Sequence, residues 1–139
     1  EKMTVEATYP IDRQLAEAFD QLFYAVEKAW TEDDQSTLQA LMTPRCYRKQ
    51  KRLLDRWAKQ GKHNQLTELS IVSTHHAEGA ADHPHVVVTA QGRDYFVYSK
   101  KDAAFNARQR DNAMLKRFTE VWTLAYDDDG ELRVAAINQ

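Results

Sequence analysis

The sequence predicts an α+β fold in which helices pack on one face of a curled four-stranded antiparallel sheet. Apolar residues recur at helical spacing between residues 12 and 61, whereas alternating and β-branched residues dominate residues 62–139. Helices that precede an antiparallel sheet are typical of the α+β class. A curled sheet that is covered on one face would form a cone with a ligand-sized pocket inside.

The first two helices are predicted from their caps and from one long apolar face. Asp12 is a suitable N-cap for the first helix, and the acidic stretch TEDDQ ends it. Asp34 can cap a short second helix that carries Leu38 and Leu41. The apolar face of the first helix recurs every three to four residues and consists of Leu15, Phe19, Leu22, Phe23, Val26 and Trp30.

The third helix is predicted between Thr43 and Gly61. Thr43 is an N-cap, Pro44 suits the first helical position, and Gly61 supplies a left-handed stop. Four strands follow, at residues 66–75, 85–99, 117–127 and 131–139. The sequence DDDG at residues 127–130 predicts a tight turn between the last two strands, and Gly92 predicts a bulge that lets the sheet curl.

Composition predicts a single domain over residues 1–139, with a flexible start at about 1–11, a helical half at 12–61 and a sheet half at 62–139. Hydrophobic residues make up 42% and charged residues 29%, which is ordinary globular usage. No apolar run reaches the roughly 18 to 20 residues that span a bilayer. Because the chain begins with Glu1, we expect a membrane-associated domain tethered by a segment upstream, on an unidentified side of the membrane.

The third helix carries most of the positive charge. Residues 45–62 hold eight bases and one acid, although the formal net charge of the chain is only −2. The bases could form a solvated surface that the acidic first helix partly balances, or a contact surface for anionic lipid or an acidic protein. Nucleic acid is disfavoured by the net charge and by the scarcity of stacking aromatics. The candidate binding residues are Arg45, Arg48, Lys49, Lys51, Arg52, Arg56 and Lys59.

A pocket inside the cone is the second candidate site. Glu120 shares its strand face with Phe118 and Trp122, so a buried position would raise its pKa and make it a possible base. A structural hydrogen bond or an arginine partner is the simpler role, because only Asp94 and Tyr95 stand out as neighbouring candidates. The predicted pocket residues are Phe19, Phe23, Trp30, Trp57, Phe118, Glu120 and Trp122.

Other catalytic and metal patterns are weak. His75, His76, His83 and His85 cluster around a turn rich in small residues, and we interpret them as exposed loop residues. The sequence has no glycine-rich phosphate loop, no nucleophile elbow and no metal-spaced cysteine pair. We therefore predict no metal, no cofactor and no catalytic residue.

Several stretches occur in an order that resembles the carboxy-terminal domain of mitochondrial inner-membrane translocase subunit 44 and its bacterial relatives. In the helical half these are AFDQLFYAVEKAWTEDDQSTLQALMTPRCYRK, and in the sheet half GKHNQLTELSIV, RDYFV and FTEVWTLAYDDDGELRVAAINQ. The resemblance covers about residues 15–139. The chain departs from it at residues 125–126, where relatives tend to carry an arginine, and at Val134, where a tryptophan is usual.

The resemblance implies a nuclear transport factor 2-like, or cystatin-like, cone and a non-enzymatic membrane-associated module. Our leading hypothesis is therefore a membrane-proximal binding or scaffolding domain that contacts anionic lipid or an acidic protein and could take a hydrophobic ligand in its pocket. One alternative is a small enzyme that uses Glu120 as its base. Another is an adaptor that forms a homodimer through the outer sheet face.

Overall fold

The computed structural model describes residues 8–79 and 81–139 as four helices and five strands. The strands form one antiparallel sheet in the order β1-β2-β3-β4-β5. This confirms the predicted α+β class with helices on a curled sheet. The elements are β1 (Thr8–Tyr9), α1 (Arg13–Thr31), α2 (Gln35–Leu41), α3 (Pro44–Lys59), β2 (Lys62–Ala77), β3 (His85–Tyr98), α4 (Ala103–Asn112), β4 (Leu115–Tyr126) and β5 (Leu132–Asn138).

The first three helices begin at the predicted caps. The side chains of Asp12, Asp34 and Thr43 each accept a hydrogen bond from the backbone N–H three residues further along. These bonds satisfy N–H groups that the first turn of a helix leaves without an internal partner. Gly61 follows α3 with a φ of 73°, the left-handed conformation that ends many helices.

The sheet bends where one strand carries an extra residue. In the first such bulge, Glu68 and Leu69 of β2 together lie opposite Gly92 of β3. A Cβ atom at Gly92 would lie only 3.1 Å from Leu69 Cδ1, so the close approach of β2 favours glycine there. The bulge predicted at Gly92 is therefore present, with its extra residue in the neighbouring strand. Bulges increase the local twist and let a sheet curl around the helices on its inner face.

The structure adds a fifth strand to the four that were predicted. The two residues of β1 extend the sheet beyond β2, with Thr8 opposite Ala77 and Tyr9 opposite His76. The tail predicted as flexible at about 1–11 is thus paired at residues 8 and 9, while residues 1–7 lie outside the described residues. Two residues are too few to show any hydrophobic period, which explains why the strand was not predicted.

Helix α4 was also not predicted, and it interrupts the sheet half between β3 and β4. None of its residues is buried, so the helix has no apolar face to reveal it in the sequence. It depends instead on local hydrogen bonds. Asp102 caps it, and the Asn106 side chain accepts from the Tyr98 N–H at 2.9 Å and donates to the Tyr98 carbonyl at 3.0 Å.

The core lies between the first three helices and the inner face of the sheet. Its centre is aromatic: the Trp122 ring lies 5.5 Å from that of Phe19 and 5.1 Å from that of Phe23, and all three side chains are fully buried. Large aromatic side chains dominate the energetics of such a core. The other buried apolar residues around them include Leu22, Val26, Leu38, Met42, Leu54, Val86, Val88, Leu124 and Val134.

Candidate functional site

Six of the seven candidate bases on α3 lie on one outward side of the helix, which we call the basic face. With 3.6 residues per turn, they fall within an arc of about 100° around the helix axis. All six residues are exposed. The opposite side of α3 holds Cys46 and Leu54 in the core, which fixes the direction of the basic face. The basic face consists of Arg45, Arg48, Lys49, Arg52, Arg56 and Lys59.

Lys51, the seventh candidate, lies outside this arc and is paired. Its ammonium group donates to the Asp55 carboxylate one turn further along, at 2.7 Å. The hydrogen bond and the charge of Asp55 raise the pKa of Lys51, and the same bond lowers the pKa of Asp55. Asp55, the only acid of residues 45–62, is therefore paired with the one candidate base that does not belong to the basic face.

Carboxylates from the first helix do not neutralise the basic face. Across residues 8–79 and 81–139, no residue of the basic face forms an ion pair. Glu17 of α1 pairs with Arg13 at 3.2 Å, and Glu32, the residue after α1, lies 3.6 Å from Lys28, so each of these acids is balanced by a base of α1. The charge of the basic face is left to solvent or to a binding partner.

A cavity of about 440 Å³ opens between α1, α3 and the inner face of the sheet. Of the predicted pocket residues, Trp30, Trp57, Phe118 and Glu120 line it. The Trp57 ring packs edge-on to both Trp30 and Phe96, with centroids 5.9 and 5.1 Å away, and these contacts hold one wall in place. Lys49 of the basic face also lines the cavity, so the two candidate sites adjoin.

Three predicted pocket residues are not in the cavity wall. Phe19, Phe23 and Trp122 lie deeper, where they pack against one another in the core. Spacing along a helix or strand predicts which side a residue faces but not how deep it lies. This explains why the sequence assigned core and lining aromatics to the same set.

Three carboxylates line the cavity: Glu27 from α1, Asp94 from β3 and Glu120 from β4. Glu120 accepts a hydrogen bond from Trp122 Nε1 at 3.0 Å, and burial raises its pKa, with the Asp94 charge adding to the effect. Asp94 accepts from Asn64 Nδ2 at 2.6 Å. The predicted carboxylate at Glu120 thus has two acidic neighbours, of which Asp94 was a candidate.

Glu27 is the residue that sequence reasoning missed. It lies four residues after Phe23 and three before Trp30, so it falls on the apolar side of α1, and that position was the available signal. Burial raises its pKa to about 8, and the charges of Glu120 and Asp94 add to the shift. In the described part of the chain, no hydrogen bond or ion pair reaches its carboxylate.

The Asn64 side chain bridges two residues of the cavity lining, Trp30 and Asp94. Its side-chain oxygen accepts from Trp30 Nε1 at 2.9 Å, while its Nδ2 donates to Asp94. Asn64 is the buried polar residue of the described core, and both ends of its amide are therefore satisfied. This bridge fixes the orientation of both Trp30 and Asp94 at the cavity.

The histidines have separate surroundings. His76 stacks on Tyr9 at 5.0 Å between ring centroids, and His83 Nδ1 lies 3.2 Å from the Leu124 carbonyl oxygen. His83 is exposed outside the strands as predicted, whereas His75 and His76 belong to β2 and His85 to β3, and His76 and His85 are half-buried, so the interpretation as exposed loop residues was wrong for these three. Among the residues that the structure describes, no three His, Cys, Asp or Glu side chains are arranged to hold a metal ion.

Comparison with known proteins assigns the family. The Tim44-like domain matches residues 12–139. The chain belongs to the Tim44-like domain family. This confirms the resemblance read from the sequence. Tim44-like domains are associated with membrane-proximal protein transport, interact with membranes and proteins, and are generally non-enzymatic.

The fold of this Tim44-like domain also occurs in a chloroplast protein. It is similar to the crystal structure of the intermembrane space region of the chloroplast protein ARC6, with a TM-score of 0.52 and 16% sequence identity. The match covers 92% of this chain and 95% of the other. At this identity the likeness shows a common fold alone. No curated protein sequence matches the chain significantly.

The family is membrane-associated. In the part of this Tim44-like domain that the structure describes, no helix is long and apolar enough to cross a bilayer. The basic face and the acid-lined cavity are the two candidate sites of the domain.

Proposed function

We propose that this Tim44-like domain is a non-enzymatic binding module that attaches to membranes through anionic lipid headgroups. The observation that carries the proposal is the basic face of α3, with its six exposed bases in an arc of about 100° and no ion pair among the described residues. A membrane surface suits this arrangement because all six charges could approach one plane together. An acidic protein would need a matching row of carboxylates.

The expected strength is that of a reversible attachment. Each base close to an anionic surface contributes about 1 kcal/mol, so six contribute about 6 kcal/mol at low salt. At 1.4 kcal/mol per factor of ten, this corresponds to an association constant on the order of 10⁴ M⁻¹, similar to that of a single myristoyl chain. Stable residence would need a second attachment. We propose that a membrane segment upstream of Glu1 supplies it.

Attachment through α3 would also orient the domain. The helices would face the headgroups and the outer face of the sheet would face solvent. Because Lys49 belongs to the basic face and lines the cavity, the cavity would open close to the headgroup layer. We assign the cavity a binding role, since the family is generally non-enzymatic.

The test is vesicle flotation with two variants of equal charge. The first replaces Arg45, Arg48, Arg52 and Arg56 by Gln and removes most of the basic face. The control replaces Lys100, Arg110, Lys116 and Arg117 by Gln, four exposed bases outside α3. Both variants lose four positive charges, so only the position of the loss differs. Each is first shown to be folded by circular dichroism.

We expect the unaltered domain to float with anionic vesicles and not with neutral ones. The basic-face variant should bind anionic vesicles about two to three orders of magnitude more weakly, because about 4 kcal/mol is lost. The control variant should lose far less. Equal binding to anionic and neutral vesicles, or equal losses in the two variants, would show that the basic face is not a lipid contact.

A further inference from the structure

Acidic side chains outnumber basic ones in the lining of the cavity. Glu27, Asp94 and Glu120 line it, against the single base Lys49. Lys49 is exposed, and within residues 8–79 and 81–139 it forms no ion pair. Acids are seldom enclosed without a cationic or hydrogen-bonding partner, because removing a carboxylate from water is costly. Three acids in one cavity therefore need an explanation.

Among the three acids, Glu27 is the one whose carboxyl group has no described hydrogen-bond donor. Glu27 is half-buried, and its side chain lines the cavity. Trp122 donates to Glu120 and Asn64 donates to Asp94, whereas no described side chain or backbone group donates to Glu27. A carboxyl group keeps acceptor capacity even when it holds a proton, so Glu27 presents an unused acceptor to the cavity. Its position on the cavity wall directs this acceptor at any bound molecule.

Most of the remaining lining is aromatic or apolar, and the amide residues Gln50, Asn64, Asn138 and Gln139 complete it. Trp30, Trp57 and Phe118 form part of the wall, and Asn64 holds Trp30 in position. Aromatic faces attract cations through the negative potential of the ring. At about 440 Å³, the cavity is within the range of small-molecule sites. Its chemistry thus combines acceptors for a positive group with apolar surface for a short carbon skeleton.

We propose that the cavity binds an organic amine, with its ammonium group held by Glu27, Asp94 and Glu120 and its apolar part against Trp30, Trp57 and Phe118. An ammonium group carries three donors and no acceptor, which complements carboxylates that only accept. The proposal differs from the hydrophobic ligand expected from sequence. A purely apolar occupant would displace water from the three carboxyl groups, which would leave Glu120 and Asp94 with one described donor each and Glu27 with none.

Other occupants fit less well. An anionic molecule would add a further negative charge beside Glu120 and Asp94, whose charges already help to raise the pKa of Glu27. The described residues contain no cluster arranged to hold a metal ion. An organic cation with N–H donors can bind the acids of the lining through these donors, and its apolar part can pack against the aromatic residues. The inference does not depend on attachment to membranes, and its test uses the domain in the absence of lipid.

The experiment titrates the domain with three probes of similar shape and different charge: benzylamine, benzyl alcohol and benzoate. Binding is followed by the backbone and indole N–H signals in two-dimensional NMR at pH 8, where shifts should centre on Trp30 and Trp57. The variants are Glu27→Gln and Glu120→Gln, which keep the side-chain shape and remove the charge. Glu17→Gln is the matched control, because Glu17 lies on the same helix but is exposed and outside the cavity lining.

We expect benzylamine to bind at least tenfold more tightly than either benzyl alcohol or benzoate. Glu27→Gln and Glu120→Gln should each weaken benzylamine binding at least tenfold, while Glu17→Gln leaves it unchanged. Circular dichroism of each variant ensures that a loss of binding is not a loss of folding. The proposal is overturned if the three probes bind alike, if none binds at millimolar concentration, or if both Gln variants bind benzylamine as the unaltered domain does.

The natural amine could be free in solution or part of a lipid headgroup. A second arm adds vesicles of phosphatidylcholine with or without phosphatidylethanolamine to the benzylamine complex. Displacement of benzylamine by the ethanolamine-containing vesicles alone would identify a lipid-borne amine. Retention of benzylamine in both would identify a soluble one, and either result supports the amine chemistry of the site.

Discussion

Replacing Glu27 by Gln should make the domain more stable at high pH and leave its stability at low pH nearly unchanged. Glu27 is enclosed beside two other acids, and burial together with the charges of Glu120 and Asp94 raises its pKa from 4.5 to about 8. Gln has nearly the same shape but no charge. The substitution therefore removes the titration while it keeps the packing.

The sign of the effect follows from proton binding. Between pH 4.5 and about 8 the folded state keeps a proton on Glu27 that the unfolded state has released. The free energy of unfolding therefore falls as the pH rises through this interval, and the whole penalty is present above pH 8. A shift from 4.5 to about 8 corresponds to about 5 kcal/mol at 1.36 kcal/mol per pKa unit. Water in the open cavity screens part of it, so we expect a difference of about 2 to 4 kcal/mol.

The assay is urea unfolding followed by tryptophan fluorescence at pH 5, 6, 7, 8 and 9. The free energy of unfolding of Glu27→Gln should match that of the unaltered domain at pH 5 and exceed it by about 2 to 4 kcal/mol at pH 9. Glu17→Gln, an exposed change on the same helix, should show no such trend. The explanation is wrong if the difference for Glu27→Gln is the same at pH 5 and pH 9, or if this variant is the less stable one at pH 9.

Three further substitutions test the elements that hold the site, each by urea unfolding. Asn64→Ala should cost about 1 to 3 kcal/mol, because Trp30 Nε1 and Asp94 lose their shared partner; no loss would mean that the bridge is not formed in solution. Gly61→Ala should cost about 1 kcal/mol, since φ is 73° there, and a stabilised variant would contradict the left-handed stop. Thr43→Ala should cost about 1 kcal/mol through loss of the α3 cap, whereas Thr43→Ser should retain most of the stability.

Local signals in the sequence were sufficient for much of the fold. The caps at Asp12, Asp34 and Thr43 and the stop at Gly61 each depend on residues within one turn, and the structure has them as predicted. Positions within one helix also fix their relative angles, and these angles separate Lys51 from the other six candidate bases. Helix α4 and strand β1 could not be predicted, since one lacks a buried face and the other has two residues.

The acidic side of the cavity depends on contacts between distant parts of the chain. Glu27, Asp94 and Glu120 come from three elements, and only the packing of α1 onto the sheet brings them to one cavity. The alternation of residues along β4 predicted that the Glu120 carboxylate lies on the inner face of the sheet. It could not predict that Glu27, which belongs to α1, lies in the same cavity. The same limit applies to Phe19, whose helical face was predicted correctly although its depth in the core was not.

The orientation of the domain on a membrane tests the central claim most directly. A fluorophore on Gln60→Cys would lie beside the basic face, whereas one on Thr119→Cys would lie on the sheet face away from the helices, because Thr119 alternates with the inward Phe118 and Glu120. Both positions are exposed. The native Cys46 is buried, and burial raises its pKa to about 11, so it should not react with the label at neutral pH.

The measurement is quenching of each fluorophore by nitroxide-labelled headgroups in anionic vesicles to which the domain is bound. The account predicts strong quenching at position 60 and little at position 119. Equal quenching at the two positions, or stronger quenching at position 119, would contradict attachment through the basic face.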